Sequence, residues 1–477
     1  MIADHLPERP PGGDWAQFRR LARFLAPYRA RIACALVALA VAAGCVLALG
    51  QGLRHVIDAG FGAADGRVLD AALAAVLGLA VLLSVATYAR FYLMMTTGER
   101  VIADLRRAVF DHVVGFAPSF FEQARTGEVI SRLTNDTTLL QGVIGFGFSM
   151  AIRNAIMLVG AIVLLLVTNL KLTLVVLASG PVLVAAMLWV GRRVRRYSRQ
   201  NQDRVADISV YADEALHEIR TVQAYAHEAA SRREFGARVD AARDSGVERI
   251  GIKAALLGFI MLVVYGGVAV VLWIGGHDIL DGTLSAGDLS AFVFYCAVAA
   301  GAVAAISEVY GDLQRAAGAT ERLMELLETP PQIVAPAAPQ SPPVEVRELA
   351  LEDVTFAYPT RLQAPALSRF TLRVRAGERV ALVGPSGAGK TSLLALLLRF
   401  YDPQQGAVRV NGIDARALDP SALRSLVSVV PQEPVIFAAN VIENVRYGRP
   451  GASEAEVRDA CERAFAAEFA ERLPQGY

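Results

Sequence analysis

Lysine is nearly absent from this 477-residue sequence: Lys171, Lys253 and Lys390 are the only ones. Arginine carries the rest of the positive charge, the pattern of a GC-rich bacterial coding bias. Against that bias a lysine inside a motif reads as chemical. Charge itself is scarce, at 19% of residues beside 54% hydrophobic, where soluble domains carry about 25% charged residues. That balance excludes an ordinary soluble chain and points to the membrane. The net charge of +1 gives no footprint for nucleic acid, and none is expected as a partner. The four cysteines, Cys34, Cys45, Cys296 and Cys461, are scattered without a C-x-x-C pair, so neither a metal site nor a disulfide framework is indicated.

Long apolar runs are what the chain has instead. Six stretches, 32–53, 69–95, 144–167, 170–190, 252–275 and 284–306, are each about 20 residues or longer, enough for a hydrocarbon core of roughly 30 Å. The first could pass for a signal peptide, and Ala42-Ala43-Gly44-Cys45 faintly resembles a lipoprotein cleavage site. The polar lead is long and further spans follow, which favours a retained helix. Arginines gather after the second span (Arg100, Arg106, Arg107, Arg125, Arg132) and after the fourth (Arg192, Arg193, Arg195, Arg196, Arg199). The other connections are poor in basic residues or very short, with Asp58, Asp65 and Arg67 in one and His277, Asp278, Asp281 and Asp288 in another. Lys/Arg excess marks the cytoplasmic side, so both termini and the two long connections, 96–143 and 191–250, are expected inside. In 205–228 the apolar residues Ile208, Ala212, Ala215, Leu216, Ile219 and Val222 keep helical spacing. These connections are expected to be helices continuing into the cytoplasm.

After the sixth span, residues 307–328 read as an amphipathic helix, and the Pro/Ala-rich stretch 329–345 reads as a linker. The expected organisation is a cytoplasmic segment 1–27, a helical membrane domain 28–328, the linker, and an incomplete α/β domain 346–477.

Gly384-Pro385-Ser386-Gly387-Ala388-Gly389-Lys390-Thr391 fits G-x-x-x-x-G-K-[ST], the phosphate-binding P-loop, with Ser392 next in line. The apolar run 380–383 is expected as a buried strand before it and 393–398 as a helix after it; 351–356 and 372–374 are expected as further strands. The chemistry suits phosphate. Glycines let the backbone wrap around an anion with its N–H groups inward, and a helix N-terminus adds partial positive charge. Lys390 is expected on the β- and γ-phosphates of ATP, and the Thr391 hydroxyl on Mg²⁺.

With these marks in order, the chain resembles an ABC exporter half-transporter of the lipid- and drug-exporting type, its membrane domain fused ahead of its nucleotide domain. Phe356-Ala357-Tyr358-Pro359 resembles the A-loop, which implies that Tyr358 stacks on adenine; otherwise it is a strand-end aromatic. Val430-Pro431-Gln432-Glu433-Pro434 resembles the Q-loop, which implies that Gln432 approaches Mg²⁺ and the attacking water; otherwise it is a turn residue. Phe120-Phe121-Glu122 with Gly127, Arg132 and Asn135-Asp136 resembles the first intracellular hairpin. Glu214, Glu218-Ile219-Arg220-Thr221-Val222 and Ala226 resemble the second. Glu122 and Asp136 are coupling residues on this reading and surface charges on the bland one.

The resemblance implies ATP-driven export of a hydrophobic or amphipathic substrate across the bacterial inner membrane, with a second half-transporter as partner, more readily a second copy than a different chain. It also implies residues that these 477 lack: L-S-G-G-Q, an apolar strand ending in Asp-Glu, and a histidine beyond them, all six histidines lying before residue 280. The expectation is that the chain as written does not hydrolyse ATP alone. The alternative is a non-catalytic subunit lending its P-loop to a complete partner, or an inactive fragment. Within the membrane, Arg90 and Arg153 either meet an anionic amphiphile, snorkel to headgroups, or pair with a carboxylate on another helix; Tyr88, Tyr265 and Tyr295 are candidates for aromatic surface beside them.

Overall fold

Apolar runs uninterrupted by turn residues build long helices. The computed structural model describes residues 16–61, 66–124, 126–432 and 434–477. Arg9, Asp65, Arg125 and Glu433 lie outside them, as do the side chains of Arg195, Arg196 and Arg199. The principal helices are α1 (Arg29–His55), α2 (Gly66–Val114), α3 (Pro118–Gln123), α4 (Thr126–Thr168, with two π-helical turns), α5 (Leu170–His217), α6 (Ile219–Ala224), α7 (Glu228–Leu280) and α8 (Ala286–Glu328). Among the described residues, five helical stretches are long and apolar enough to cross a membrane: Arg19–Asp58, Leu69–Val114, Thr126–Thr168, Glu228–Leu280 and Ala286–Glu328. The expected span 170–190 forms the first turns of α5, which continues through Pro181; several side chains there lie outside the described residues.

One compact unit holds the chain up to Arg106 together with Asn135–Arg322. In α2 the buried residues Ala86, Arg90, Met94, Thr97, Val101 and Leu105 recur every three or four positions, one face of a helix. Leu73, Leu77, Val81, Val85 and Tyr88 form an exposed apolar stripe, as a lipid-facing surface requires. Where α2 meets α4 the helices touch at glycine: a Cβ on Gly98 would sit 3.0 Å from the Gly145 Cα. A core of Ala161, Leu165, Leu172, Val271, Leu289, Phe292 and Tyr295 joins four helices. Tyr295 is fully buried and donates to the Leu47 carbonyl at 3.0 Å, so it is a packing residue, whereas Tyr88 and Tyr265 are exposed. Arg322 grips buried Asp136 with two bonds, Nε to Oδ2 at 2.8 Å and Nη2 to Oδ1 at 2.6 Å.

The second unit contains Arg107–Thr134 and Leu323–Tyr477. Its centre is an antiparallel sheet in the order β2-β1-β3-β4: β1 (Glu348–Phe356), β2 (Leu367–Arg375), β3 (Gln405–Val410) and β4 (Ile413–Asp414). Leu351 stands opposite Leu372 on one side and Val408 on the other. β3 can pass the irregular stretch of β1 only with glycine at 406, where φ is +78° and a Cβ would lie 2.3 Å from the Glu352 carbonyl oxygen.

The run 380–383 does not form the expected strand. It is irregular, and Val383 is 90% exposed. A buried parallel strand needs backbone partners to satisfy its N–H and C=O groups, and no described strand pairs with this run. The run 427–430 shares that condition, with Val430 96% exposed.

Candidate nucleotide site

The P-loop begins where the sheet's packing ends. Residues 384–389 form an irregular loop leading into α9 (Lys390–Leu397). Gly387 and Gly389 take φ of +83° and +86°, which turns successive N–H groups toward one side as a nest for an anion. A Cβ on Gly389 would approach the Ala366 carbonyl oxygen to 2.6 Å, so only glycine fits. Ser392, Leu393 and Leu396 are buried, and the two leucines anchor α9 on Leu351, Val354 and Phe356. The far end of α9 is closed by Arg424, whose Nε and Nη2 donate to the Leu398 and Arg399 carbonyls at 3.0 and 3.1 Å. Burial, with Arg399 adding repulsion, holds the Arg424 guanidinium below its usual range. A cation at the C-terminus leaves the partial positive charge at the N-terminus to face phosphate.

Lys390 donates from Nζ to the carbonyl oxygens of Gly384 and Pro385 at 2.7 and 2.8 Å. Its ammonium therefore lies over its own loop, and Thr391 is exposed beside it. Pro385, Ser386 and Ala388 complete the turn, with Ala388 N–H donating to the Pro385 carbonyl at 3.2 Å. Inward N–H groups, a lysine at the nest and a free hydroxyl one residue on make a donor set that fits a nucleotide's phosphates with a divalent cation.

Tyr358 follows β1. Its ring meets Phe356 at 5.0 Å and Tyr401 at 5.3 Å, both edge-on, and its hydroxyl lies 3.0 Å from the buried Ser392 Oγ. The chain just before it is pinned by Gln404, which exchanges two 2.8 Å bonds with the Ala357 backbone. The fold thus joins Tyr358 to the residue two places after Lys390. Gln432 is different: it lies exposed in the irregular run after 427 and makes no hydrogen bond among the described residues.

Tyr401 is a site residue that no motif announced. It is buried, packs against Phe356 and Tyr358, and donates its hydroxyl to Glu122 Oε2 at 2.6 Å. Burial, then the Glu122 carboxylate, raises the phenol above its ordinary range. Glu122 belongs to α3, a short helix started by Pro118. Ser119 donates to Gln332, and a nitrogen of the His112 ring lies 2.9 Å from the Thr329 carbonyl oxygen. The Pro-rich stretch 329–345 is attached to the same unit: Gln340 N–H bonds the Ala417 carbonyl at 2.9 Å, and Arg399 donates to Val334 and Leu418 carbonyls.

Comparison with known proteins agrees with this architecture. The model of the ABC transporter transmembrane region matches residues 32–303, and that of the ABC transporter domain matches 367–476. The chain belongs to the ABC transporter family, with its transmembrane region ahead of its nucleotide-binding domain as in an exporter half-transporter. Its relatives include ABC transporter B family member 1 of Dictyostelium discoideum, 33% identical over 83% of this chain and 43% of that protein. An export ATP-binding/permease protein of Rickettsia bellii is 29% identical over 96% of this chain and 79% of that protein. The human mitochondrial potassium channel ATP-binding subunit is 34% identical over 82% of this chain and 54% of that protein. The chain thus spans about half the length of the first and last of these relatives.

Proposed function

We propose that this chain is the membrane and nucleotide-binding subunit of an ATP-driven exporter, moving a hydrophobic or amphipathic substrate across a bacterial inner membrane. Both termini face the cytoplasm on this reading, and a second copy supplies the opposing half. The observation that carries it is one set of contacts. The P-loop helix holds Ser392 against Tyr358, Tyr358 packs on Tyr401, and Tyr401 is bonded to Glu122 of the hairpin helix α3. Nucleotide chemistry and a membrane-helix extension meet in one packed unit.

In the proposed cycle Lys390 leaves the Gly384 and Pro385 carbonyls to hold the β- and γ-phosphates. The N–H groups around Gly387 and Gly389 bind their oxygens. Thr391 and Gln432 would hold Mg²⁺, and Tyr358 would present its ring to the adenine. ATP would supply the driving free energy by transfer of its γ-phosphoryl group to water, with Mg²⁺ neutralising phosphate charge. Tyr401 and Glu122 pass a shift of the P-loop side to α3. Such coupling requires nucleotide to bind one conformation better than the other. ATP-dependent uptake of a fluorescent amphiphile into inverted membrane vesicles, compared between the native gene and its Lys390→Ala variant, tests the reading. Equal uptake by both rejects it.

A second reading is an ATP-binding subunit within a larger assembly of unlike chains. The human relative, named as an ATP-binding subunit of a channel, favours it. Affinity purification from the native membrane decides: a stoichiometric different chain supports this reading, and self-association alone supports the first.

A further inference from the structure

Two arginines of the membrane unit, Arg90 buried and Arg153 partly buried, have no carboxylate partner among the described residues. Arg90 is 4% exposed on the buried face of α2, one or two turns from Ala86 and Thr97. It donates Nη1 to the Ser149 hydroxyl of α4, and its Nε is buried without a partner. Arg153, one turn beyond Ser149, also has a buried Nε without a partner. Neither side chain forms an ion pair among the described residues. The charged neighbour that acts on Arg90 is Arg153 itself.

The placement follows from the glycine crossing. Gly98 and Gly145 touch where α2 and α4 pack. Arg90 lies eight residues before Gly98, and Arg153 eight residues after Gly145. Two helices running in opposite directions bring those positions to one level, about 12 Å from the crossing at 1.5 Å per residue. Arg90 therefore does not snorkel. It is on the packed stripe, while Tyr88 and Val85 occupy the exposed one. A like-charged pair taken out of water is unfavourable both in desolvation and in mutual repulsion. Ser149 is a neutral acceptor and offsets neither. In a membrane interior ionisable side chains normally pair or face a polar path, and this pair has no counter-charge among the described residues.

We propose that Arg90 and Arg153 are the two arms of an anion site in the membrane unit, and that its ligand is a phosphate-bearing amphiphile. The proposal rests on the export reading for calling that ligand a substrate. The site itself needs only the two side chains. Guanidinium groups suit the task because each offers parallel N–H donors that match two phosphate oxygens at once. The unpartnered Nε atoms are the donors left over for it.

The test is binding of a fluorescent dioctanoyl phosphatidic acid to the purified full chain in detergent, without nucleotide. Arg153→Gln and Arg90→Gln are each expected to weaken binding about tenfold or more, the loss of a charged bidentate contact. The charge-keeping Arg153→Lys, which loses the paired donors but not the charge, is expected to weaken binding less than Arg153→Gln. Arg153→Gln also removes a repulsion and no internal bond, so ligand-free thermal stability is expected to hold or rise. Unlabelled dioctanoylglycerol, which lacks the phosphate, is expected not to compete. Inorganic phosphate distinguishes the source: displacement assigns the site to free phosphate, and no displacement assigns it to a lipid headgroup. Binding unchanged in the double Gln variant, or displacement by dioctanoylglycerol, overturns the anion site. A chain that binds phosphatidic acid through these arginines but fails to move any amphiphile in vesicles would reject the export reading alone.

Discussion

The hydroxyl of Tyr401 donates to the carboxylate of Glu122, 279 positions earlier in the chain, at 2.6 Å. A hydrogen bond to a charged acceptor contributes about 1.5–3 kcal/mol, and exposure of the Glu122 side places this one at the lower end. A double-mutant cycle with Tyr401→Phe and Glu122→Gln is expected to give a coupling energy of about 1 kcal/mol or slightly more in chemical unfolding. Additive single-variant effects would show that the contact contributes nothing in solution.

The same phenol gives a pH dependence. Its folded pKa is raised, first by burial and then by Glu122. The stabilisation it provides is therefore complete below the ordinary tyrosine value of about 10 and is lost as pH rises above it. The stability gap between the native chain and Tyr401→Phe is expected to shrink through the alkaline range. Ultraviolet titration near 295 nm should show one phenol fewer among the late-ionising group of the variant.

Gly389 is the tightest point of the nucleotide loop. Gly389→Ala combines a positive φ, unfavourable for an L-residue by about 1–2 kcal/mol, with a clash against the Ala366 carbonyl. Binding of a fluorescent ATP analogue is expected to fall at least tenfold. Lys390→Ala is expected to match that loss with the fold intact, since Lys390 bonds only to loop carbonyls among the described residues. Matching near-ultraviolet circular dichroism for native and Lys390→Ala chains would check the second half.

Tyr358→Phe keeps the ring and its edge-on contacts and loses the bond to Ser392. Tyr358→Ala removes both. Affinity for the ATP analogue is expected to change little in the first and to fall several-fold in the second, in line with about 1–3 kcal/mol for a base stacked on an aromatic ring. Equal losses would assign the role to the hydroxyl.

Arg322 and Asp136 form a bidentate pair with the carboxylate buried and the guanidinium half exposed. Asp136→Ala leaves Arg322 without that grip, at an expected loss of about 2 kcal/mol once exposure is discounted from the figure for buried pairs. A lowered thermal midpoint measures it, and an unchanged midpoint would make Asp136 the surface charge that its sequence alone allows.

Local patterns carried most of the architecture into view. The membrane helices, β1, β2 and the P-loop helix are set by periodicity and by spacing within a few residues. The run 380–383 has a strand's hydrophobicity without being a strand, because a strand is a pairing and hydrophobicity says nothing of whether a partner lies beside it. Tyr401 was invisible for a related reason. Its meaning comes from Glu122, far away in sequence, and no spacing rule links Arg399-Phe400-Tyr401 to a helix begun by Pro118. The proline-rich stretch looked like a spacer by composition, yet Val334 and Gln340 supply backbone groups to Arg399 and Ala417.

The irregular run 380–383 has a practical consequence. Backbone amides without partners exchange with solvent on contact, whereas those of β1, locked between β2 and β3, exchange only on opening of the sheet. Deuterium uptake should therefore be immediate at Ala381–Val383 and slow at Leu349–Leu351. The same exposed valines make an adhesive apolar stretch a few residues before the candidate phosphate loop.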